Sequence, residues 1–442
     1  MDNNLKNFLE KSYKYNVINK EWYQKYEVKN GLRNEDGTGV LVGLTKVSDV
    51  VGYKKTDGKK VDDYGRLIYR GIDIEDIINN NDKRYLFEEV SFLILFGYLP
   101  SKDEFDCFKK EISAHYLLPD GFLENKILRS PSNNLMNKLQ QDVLTLFNYD
   151  PNGDDTNVDN VLNQGINLIS KMVCLVCYNY MSKINYFDQK SMYIHHIDLD
   201  KSISENLLSL LRVDQKYTKE EASLLDVCLL LHADHGGGNN STFVNVVISS
   251  TGTDLYSSFA GSIGSLKGPK HGGANIQVSK MMDTIIDDIG ITTNENDIRV
   301  IIKKLLNKDY FDCSGLVYGM GHAVYTLSDP RSEILKNKAK IVAQNKGLID
   351  KYNFYCLFEK IAKEEILIKK GIHVCSNVDF YSGLVYQMLG IDKQLYTLLF
   401  VVARSVGWLA HNIESQLYSG KIVRPATKYV GEFSEYIDIE KR

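Results

Sequence analysis

A mainly α-helical chain with one small β region near its N-terminus is the fold class that these 442 residues predict, on three observations. Short β-branched runs punctuated by Gly, Asp and Asn are confined to residues 31–77. From Tyr85 onward, apolar residues recur at helical spacing between turn signals. No segment repeats at a fixed period, which argues against a helical solenoid. A chain of this length exceeds one typical core, so one large or two unequal domains are expected, and an apolar content of 43% supplies ample material to bury.

Taken in order, residues 1–30 read as short polar helices rich in Lys and Tyr, an arm or a surface layer. Residues 31–77 carry the strands and turns. After Tyr85, LFEEVSFLILFGYLPSKDEFDCFKKEI describes an apolar helix, a Gly-Tyr-Leu-Pro stop and a second helix. The run NYDPNGDDTNVDN at 148–160 is acidic and turn-rich, hence an exposed loop, and it lacks the closing Glu of a calcium loop. Apolar helices follow at 158–185 and 204–231, with a break near Asp214–Lys219.

A formal charge of −4 with no basic face argues against nucleic-acid binding. The N-terminal MDNNLKNFLEKSYKYN has neither the apolar core of a secretion signal nor the Arg-rich, acid-poor composition of a transit peptide. No stretch reaches about 18 uncharged apolar residues, so no membrane span is expected. The seven cysteines are odd in number and mostly lie in apolar helical surroundings, which suits reduced thiols, and Cys174 and Cys177 have no second pair to make a metal site. A cytoplasmic protein without a metal is the expectation.

Chemistry concentrates in Leu229–Val278, where three of the nine histidines lie among clustered glycines. His232 and His235 follow an apolar run and read equally as helix histidines of the core. His271 precedes Gly272, Gly273 and a helical pattern. At a helix entrance, unpaired N–H groups and the positive dipole end disfavour imidazolium, so a neutral ring that donates one hydrogen bond is expected. A second cluster, GLVYGMGHAVYTLSDPR, sets three glycines before His322 and turns at Asp329-Pro330 into a helix near Arg331. It lacks the spacing of a P-loop or a dinucleotide fingerprint. In NVDFYSG, Asp379 precedes a helical pattern and reads first as its N-cap. Arg404 stands in an otherwise apolar helix, where burial calls for an anionic partner, by default an internal salt bridge. Arg424 follows a Gly-Lys-Ile-Val segment.

In order and approximate spacing, HADHGGGNNSTF, GPKHGGAN, GMGHAVYTLSDPR, NVDFYSG and RPATKYVG resemble the signature blocks of the citrate synthase family. GLRNEDGTGVLVGLT and LIYRGIDIEDI are similar to it as well, so the resemblance spans residues 31–432. It implies a two-domain helical fold, with a large domain of residues 1–275 and 385–442 forming a homodimer interface. A small domain of residues 276–384 would close over the active site. It implies condensation of acetyl-CoA with oxaloacetate and hydrolysis of citryl-CoA, at the entry to the tricarboxylic acid cycle, with no permanently bound cofactor. His271 would bind the thioester carbonyl, His322 the ketone oxygen of oxaloacetate, and Asp379 would be the base. His235, Arg331, Arg404 and Arg424 would hold carboxylates, Arg424 reaching across the dimer.

The loop Leu316, Val317, Tyr318, Gly319, Met320 and Gly321 resembles the family's adenine-recognition segment, with Lys369 and Lys370 as phosphate partners or as solvated surface lysines. Thr326, four residues after His322, stands where many relatives carry a basic residue, so contacts to the CoA phosphates are expected to differ. A 2-methylcitrate synthase using propionyl-CoA would need the same residues. From another class, a non-catalytic helical scaffold or binding protein is the alternative.

Overall fold

The computed structural model describes residues 3–56, 59–79, 85–418 and 420–442. Helix accounts for 59% of it and strand for 5%. The chain divides into two compact units, residues 1–43 with 423–442, and residues 44–422.

The smaller unit holds α1 (Asn3–Ser12) and α2 (Glu21–Lys25), with no buried residue in α2. The Lys428 ammonium lies 5.8 Å from the centre of the Tyr26 ring. Arg424 belongs to this unit.

In the larger unit, β1 (Ser48–Thr56), β2 (Lys59–Tyr69) and β3 (Ile72–Asp73) form an antiparallel sheet in that order. The register runs from Ser48 opposite Tyr69 to Thr56 opposite Lys59, with an irregularity between Val51 and Tyr53. Two glycines let this hairpin press against residues 322–328. A Cβ on Gly52 would stand 2.5 Å from Val324 O, and one on Gly65 would overlap Ser328 O. Gly65 N–H donates to Ser328 Oγ at 3.0 Å, and the Tyr325 hydroxyl donates to Arg66 O at 3.1 Å. The sheet therefore braces the loop that carries His322.

After α3 (Ile74–Asn79), α4 (Phe87–Phe96) carries a nearly continuous apolar run that is buried up to Leu95, and it ends at Gly97, which adopts φ 87°. Next come α5 (Lys102–Ala114), α6 (Leu135–Leu146), α7 (Val158–Tyr186), α8 (Ile203–Leu211) and α9 (Lys219–His232). Capping boxes start three of them, at Ser101/Glu104, Ser202/Glu205 and Thr218/Glu221, each satisfying two backbone donors that the helix leaves over. The acidic loop sits between α6 and α7, where the sequence puts it.

By length and hydropathy α7 could cross a membrane, but 83% of its most apolar window is buried within the protein. It is a core helix. Gly165 in α7 leaves room for Leu409, because a Cβ there would overlap the Leu409 methyls. That contact offsets the cost of about 1 kcal/mol that glycine carries inside a helix.

The chain continues through α10 (Asn240–Ser249), α11 (Leu255–Leu266), α12 (Ala274–Ile289), α13 (Glu295–Leu306), α14 (Pro330–Asn345), α15 (Ile349–Lys370), α16 (Val378–Met388) and α17 (Tyr396–Tyr418). Helix α17 is the axis of the core: it packs against α4, α7, α9, α10 and α11, and every residue from Tyr396 to Asn412 is buried. Truncating a side chain such as its Trp408 to Ala would cost about 3–5 kcal/mol. Helices α12 to α16 pack on one another, and α14 and α16 also touch α9. Thus the C-terminal end of α9, the N-terminal ends of α14 and α16 and the middle of α17 are brought together.

Candidate active site

Arg404 lies at the centre of this convergence. It projects from the buried middle of α17 and is fully buried. Its Nε–H donates to His232 O at 2.7 Å, at the end of α9. Its Nη1 and Nη2 are buried without a hydrogen-bond partner among the described residues. The internal salt bridge expected from sequence is not what satisfies it. Burial lowers its pKa to about 10, although Asp234 pulls the other way, so the group stays charged at neutral pH. A buried guanidinium with two unused nitrogens is a receptor for an anion.

Arg331, in the first turn of α14, is held differently. The N-cap Asp329 accepts hydrogen bonds from its Nε at 3.0 Å and its Nη2 at 2.7 Å, and from its backbone N at 3.1 Å. Burial opposes the charge, but Asp329 outweighs it and raises the Arg331 pKa. Asp329 also accepts from Val378 N at 3.2 Å, so one carboxylate ties together the starts of α14 and α16. This role of Asp329 was missed in the sequence, where Asp-Pro reads only as a turn.

His322 follows the glycine loop. Its Nδ1 accepts from Val324 N at 3.1 Å and Tyr325 N at 3.2 Å, which fixes the proton on Nε2. That Nε2 lies 3.1 Å from His235 Nε2 and 3.5 Å from Arg331 Nη2. His235 is therefore the acceptor, and its pKa is pushed well down by burial and then by Arg331. His232, which read equally as a core histidine, has its Nδ1 2.7 Å from Cys228 O one turn back. It ends α9 and supplies the carbonyl that Arg404 grips.

His271 precedes α12, whose N-cap is Gly273. Its pKa falls to about 4, first through burial and then through Arg404. The ring is neutral, as the sequence suggests, but desolvation rather than the helix dipole is the main cause. Its Nε2 lies 3.1 Å from Ser241 Oγ, which also accepts from Trp408 Nε1 at 3.1 Å. Ser241 is a second residue that sequence reasoning missed; its position in HADHGGGNNSTF was the only available signal.

Asp379 is the second residue of α16, not its N-cap. Asn377 caps the helix, its Oδ1 accepting from Asp379 N at 3.1 Å. This corrects the simplest sequence reading and leaves the carboxylate unspent. Its Oδ1 is sealed from solvent and has no partner among the described residues. Burial lifts the Asp379 pKa to about 7, with Arg331 and Arg404 opposing. Arg404 also acts electrostatically on His232, His235 and His271. One buried cation thus has the Asp379 carboxyl and three neutral rings for neighbours.

A cavity of about 280 Å³ adjoins His322 and Tyr325. Leu316, Val317, Met320, Gly321, Thr326, Lys370 and His373 are among the residues that line it. Tyr318 and Gly319 do not line it: Tyr318 donates to Asp312 Oδ2 at 2.5 Å, and Gly319 packs at φ 82° against Phe380. Lys369 is engaged with Leu306 O and Asn307 Oδ1, which leaves Lys370 as the cavity's lysine.

Residues 35–426 match the family model described as citrate synthase, C-terminal domain. The citrate synthase of Haloferax volcanii is 34% identical over 92% of this chain and 96% of its own length. That of Deinococcus radiodurans is 35% identical over 86% and 93%. Among solved structures, the Thermoplasma acidophilum citrate synthase, in a ternary complex with carboxymethyl coenzyme A and oxaloacetate, superposes with a TM-score of 0.75. It is 26% identical and the match covers 91% of this chain and 97% of that one. The Thermotoga maritima citrate synthase gives 0.72 at 27% identity, covering 93% and 98%.

Proposed function

The chain belongs to the citrate synthase family, and from that premise we propose how its residues condense acetyl-CoA with oxaloacetate and hydrolyse citryl-CoA. The observation that carries the proposal is the Arg404 guanidinium, buried with Nη1 and Nη2 unpartnered among the described residues, beside neutral imidazoles and a carboxyl whose pKa is near 7. Such a site is complementary to a small dicarboxylate and can remove a proton from carbon.

In this reading Arg404 and Arg331 hold the oxaloacetate carboxylates with His235, and the fork of each guanidinium fixes which ketone face is presented. The His322 Nε2–H donates to the ketone oxygen and makes its carbon electrophilic. Asp379 removes a proton from the acetyl methyl group, while a hydrogen bond from His271 stabilises the developing enolate oxygen. His271 can donate from Nδ1, its neutral ring carrying the N–H there while Nε2 accepts from the Ser241 hydroxyl. The enolate carbon then attacks the ketone to give citryl-CoA, and water cleaves the thioester to release CoA and citrate. The cavity lined by Leu316, Val317, Met320, Gly321 and Lys370 would take the CoA moiety, with Thr326 unable to contribute a positive charge to its phosphates.

Residues 276–384 would move as the small domain that closes over both substrates and excludes water. The protein would act as a homodimer in which Arg424 completes the partner's carboxylate clamp. Its seven cysteines are free, which suits the reducing cytoplasm. CoA release measured with acetyl-CoA and with propionyl-CoA tests the substrate. A higher kcat/KM for acetyl-CoA is expected, a clear preference for propionyl-CoA would make the enzyme a 2-methylcitrate synthase, and no release with either would point to a non-catalytic protein.

A further inference from the structure

Glu359, in the middle of α15, is buried, is not among the residues lining the cavity beside His322, and takes no part in the mechanism above. Its carboxylate accepts four hydrogen bonds: from Lys336 Nζ at 2.8 Å, Lys363 Nζ at 2.6 Å, the Tyr381 hydroxyl at 2.7 Å and Ser376 Oγ at 2.8 Å. Lys336 comes from α14, Tyr381 from α16, and Ser376 from the segment just before α16.

Ser376 is the junction. Because an ionised carboxylate can only accept, the Ser376 proton points at Glu359. The hydroxyl of Ser332, 2.8 Å from Ser376 Oγ, must then donate to Ser376. Ser332 directly follows Arg331, and Ser376 lies three residues before Asp379. Backbone bonds extend the link to a third site residue. Met320 and Ser376 form an antiparallel bridge, Gly321 N donates to Cys375 O at 2.7 Å, and Asn377 N donates to Gly319 O at 2.9 Å. The strand-like piece that bridges to Ser376 leads straight into His322.

We infer that Ser376, anchored by Glu359 and Ser332, is a positioning residue that sets Asp379 relative to His322 and Arg331. The inference rests on the assignment of Asp379 as the base. Both serines and the glutamate are buried, so water cannot replace a lost hydroxyl at no cost. A displacement of the base by a fraction of an ångström is enough to slow proton abstraction. Oxaloacetate affinity should be affected little, because Arg331 keeps its own carboxylate partner in Asp329.

The test is Ser376→Ala in the full chain, which deletes one hydroxyl and leaves the two lysine pairs of Glu359 in place. Expected is a fall in kcat of about tenfold or more, with the KM for oxaloacetate within about twofold of the parent. The deuterium isotope effect measured with methyl-deuterated acetyl-CoA should increase, since proton abstraction becomes more rate-limiting. Ser376→Thr, which restores the hydroxyl, should recover most of the rate. A parent-like kcat and isotope effect in Ser376→Ala would overturn the inference. If Ser376→Ala fails to fold, Ser332→Ala takes its place, and an unchanged kcat and isotope effect there would overturn the inference equally. Asp379→Asn run alongside separates the two claims: if it remains active, the base assignment fails, whereas an inactive Asp379→Asn with an unaffected Ser376→Ala defeats only the positioning role.

Discussion

The Nε2 atoms of His235 and His322 face each other across 3.1 Å, and one proton lies between them. Two backbone N–H groups occupy His322 Nδ1, so His322 is the donor and His235 the acceptor. The donor of this pair is the one proposed to polarise the ketone. His322→Ala is expected to lower kcat by about 10²–10³-fold, the range for loss of one donor to a developing oxyanion, with a smaller effect on the KM for oxaloacetate. In a ¹⁵N spectrum His322 should show its proton on Nε2. A proton on Nδ1, or a variant with near-normal kcat, would contradict the assignment.

The raised pKa of Asp379 links activity to pH. As the proposed base, Asp379 would work ionised, so kcat/KM for acetyl-CoA should fall about tenfold per unit as pH drops below about 7. Stability should run the opposite way. A folded-state pKa raised from 3.8 to about 7 means that the folded chain holds a proton the unfolded chain has released, between about pH 4 and 7. That contribution to stability is fully present below the unfolded value and is lost as pH rises through about 7. Above pH 7, Asp379→Asn should therefore melt at a higher temperature than the parent. A pH-independent kcat/KM between pH 5 and 8 would be inconsistent with this picture.

Arg404→Leu should trade binding for stability. It removes a buried charge whose two terminal nitrogens have no hydrogen-bond partner among the described residues, so the ligand-free melting temperature should hold or rise. Oxaloacetate affinity should fall by about 10²-fold or more, and oxaloacetate, expected to raise the melting temperature of the parent, should leave that of the variant unchanged. A variant still stabilised by oxaloacetate would remove Arg404 from the clamp.

Arg424 can be tested by complementation. Homodimers of Arg424→Ala and of Asp379→Asn should each be nearly inactive. If Arg424 serves the partner, a mixed dimer contains one site with both groups intact, so random reassociation should restore about a quarter of the sites. No recovery on mixing would mean that Arg424 serves its own subunit's site.

Much of this arrangement was legible in the sequence, for local reasons. Helices α4, α5, α7, α8 and α9 follow from apolar spacing between turn signals, whereas α6 was not singled out, and the strands fall inside the one β-branched region. His235, His271, His322 and Asp379 stood out because glycines or helix starts surround them. What stayed hidden depends on contacts between distant parts of the chain. Ser48 reaches the Asp234 carboxylate across 186 positions, Trp408 donates to Ser241 across 167, and the sheet braces the loop after His322 through Gly65 and Ser328. Asp379 read as an N-cap because a carboxylate at a helix start is usually one; only the geometry of Asn377 shows that the cap is filled by another residue.

The measurement that bears most directly on the central claim is CoA release from acetyl-CoA and oxaloacetate by Asp379→Asn, with oxaloacetate binding measured on the same sample by calorimetry. The amide keeps the size of the side chain and removes its basicity, so turnover should vanish while the oxaloacetate dissociation constant stays within a few-fold of the parent. Retained turnover, or an equal loss of oxaloacetate affinity, would mean that Asp379 is not the base.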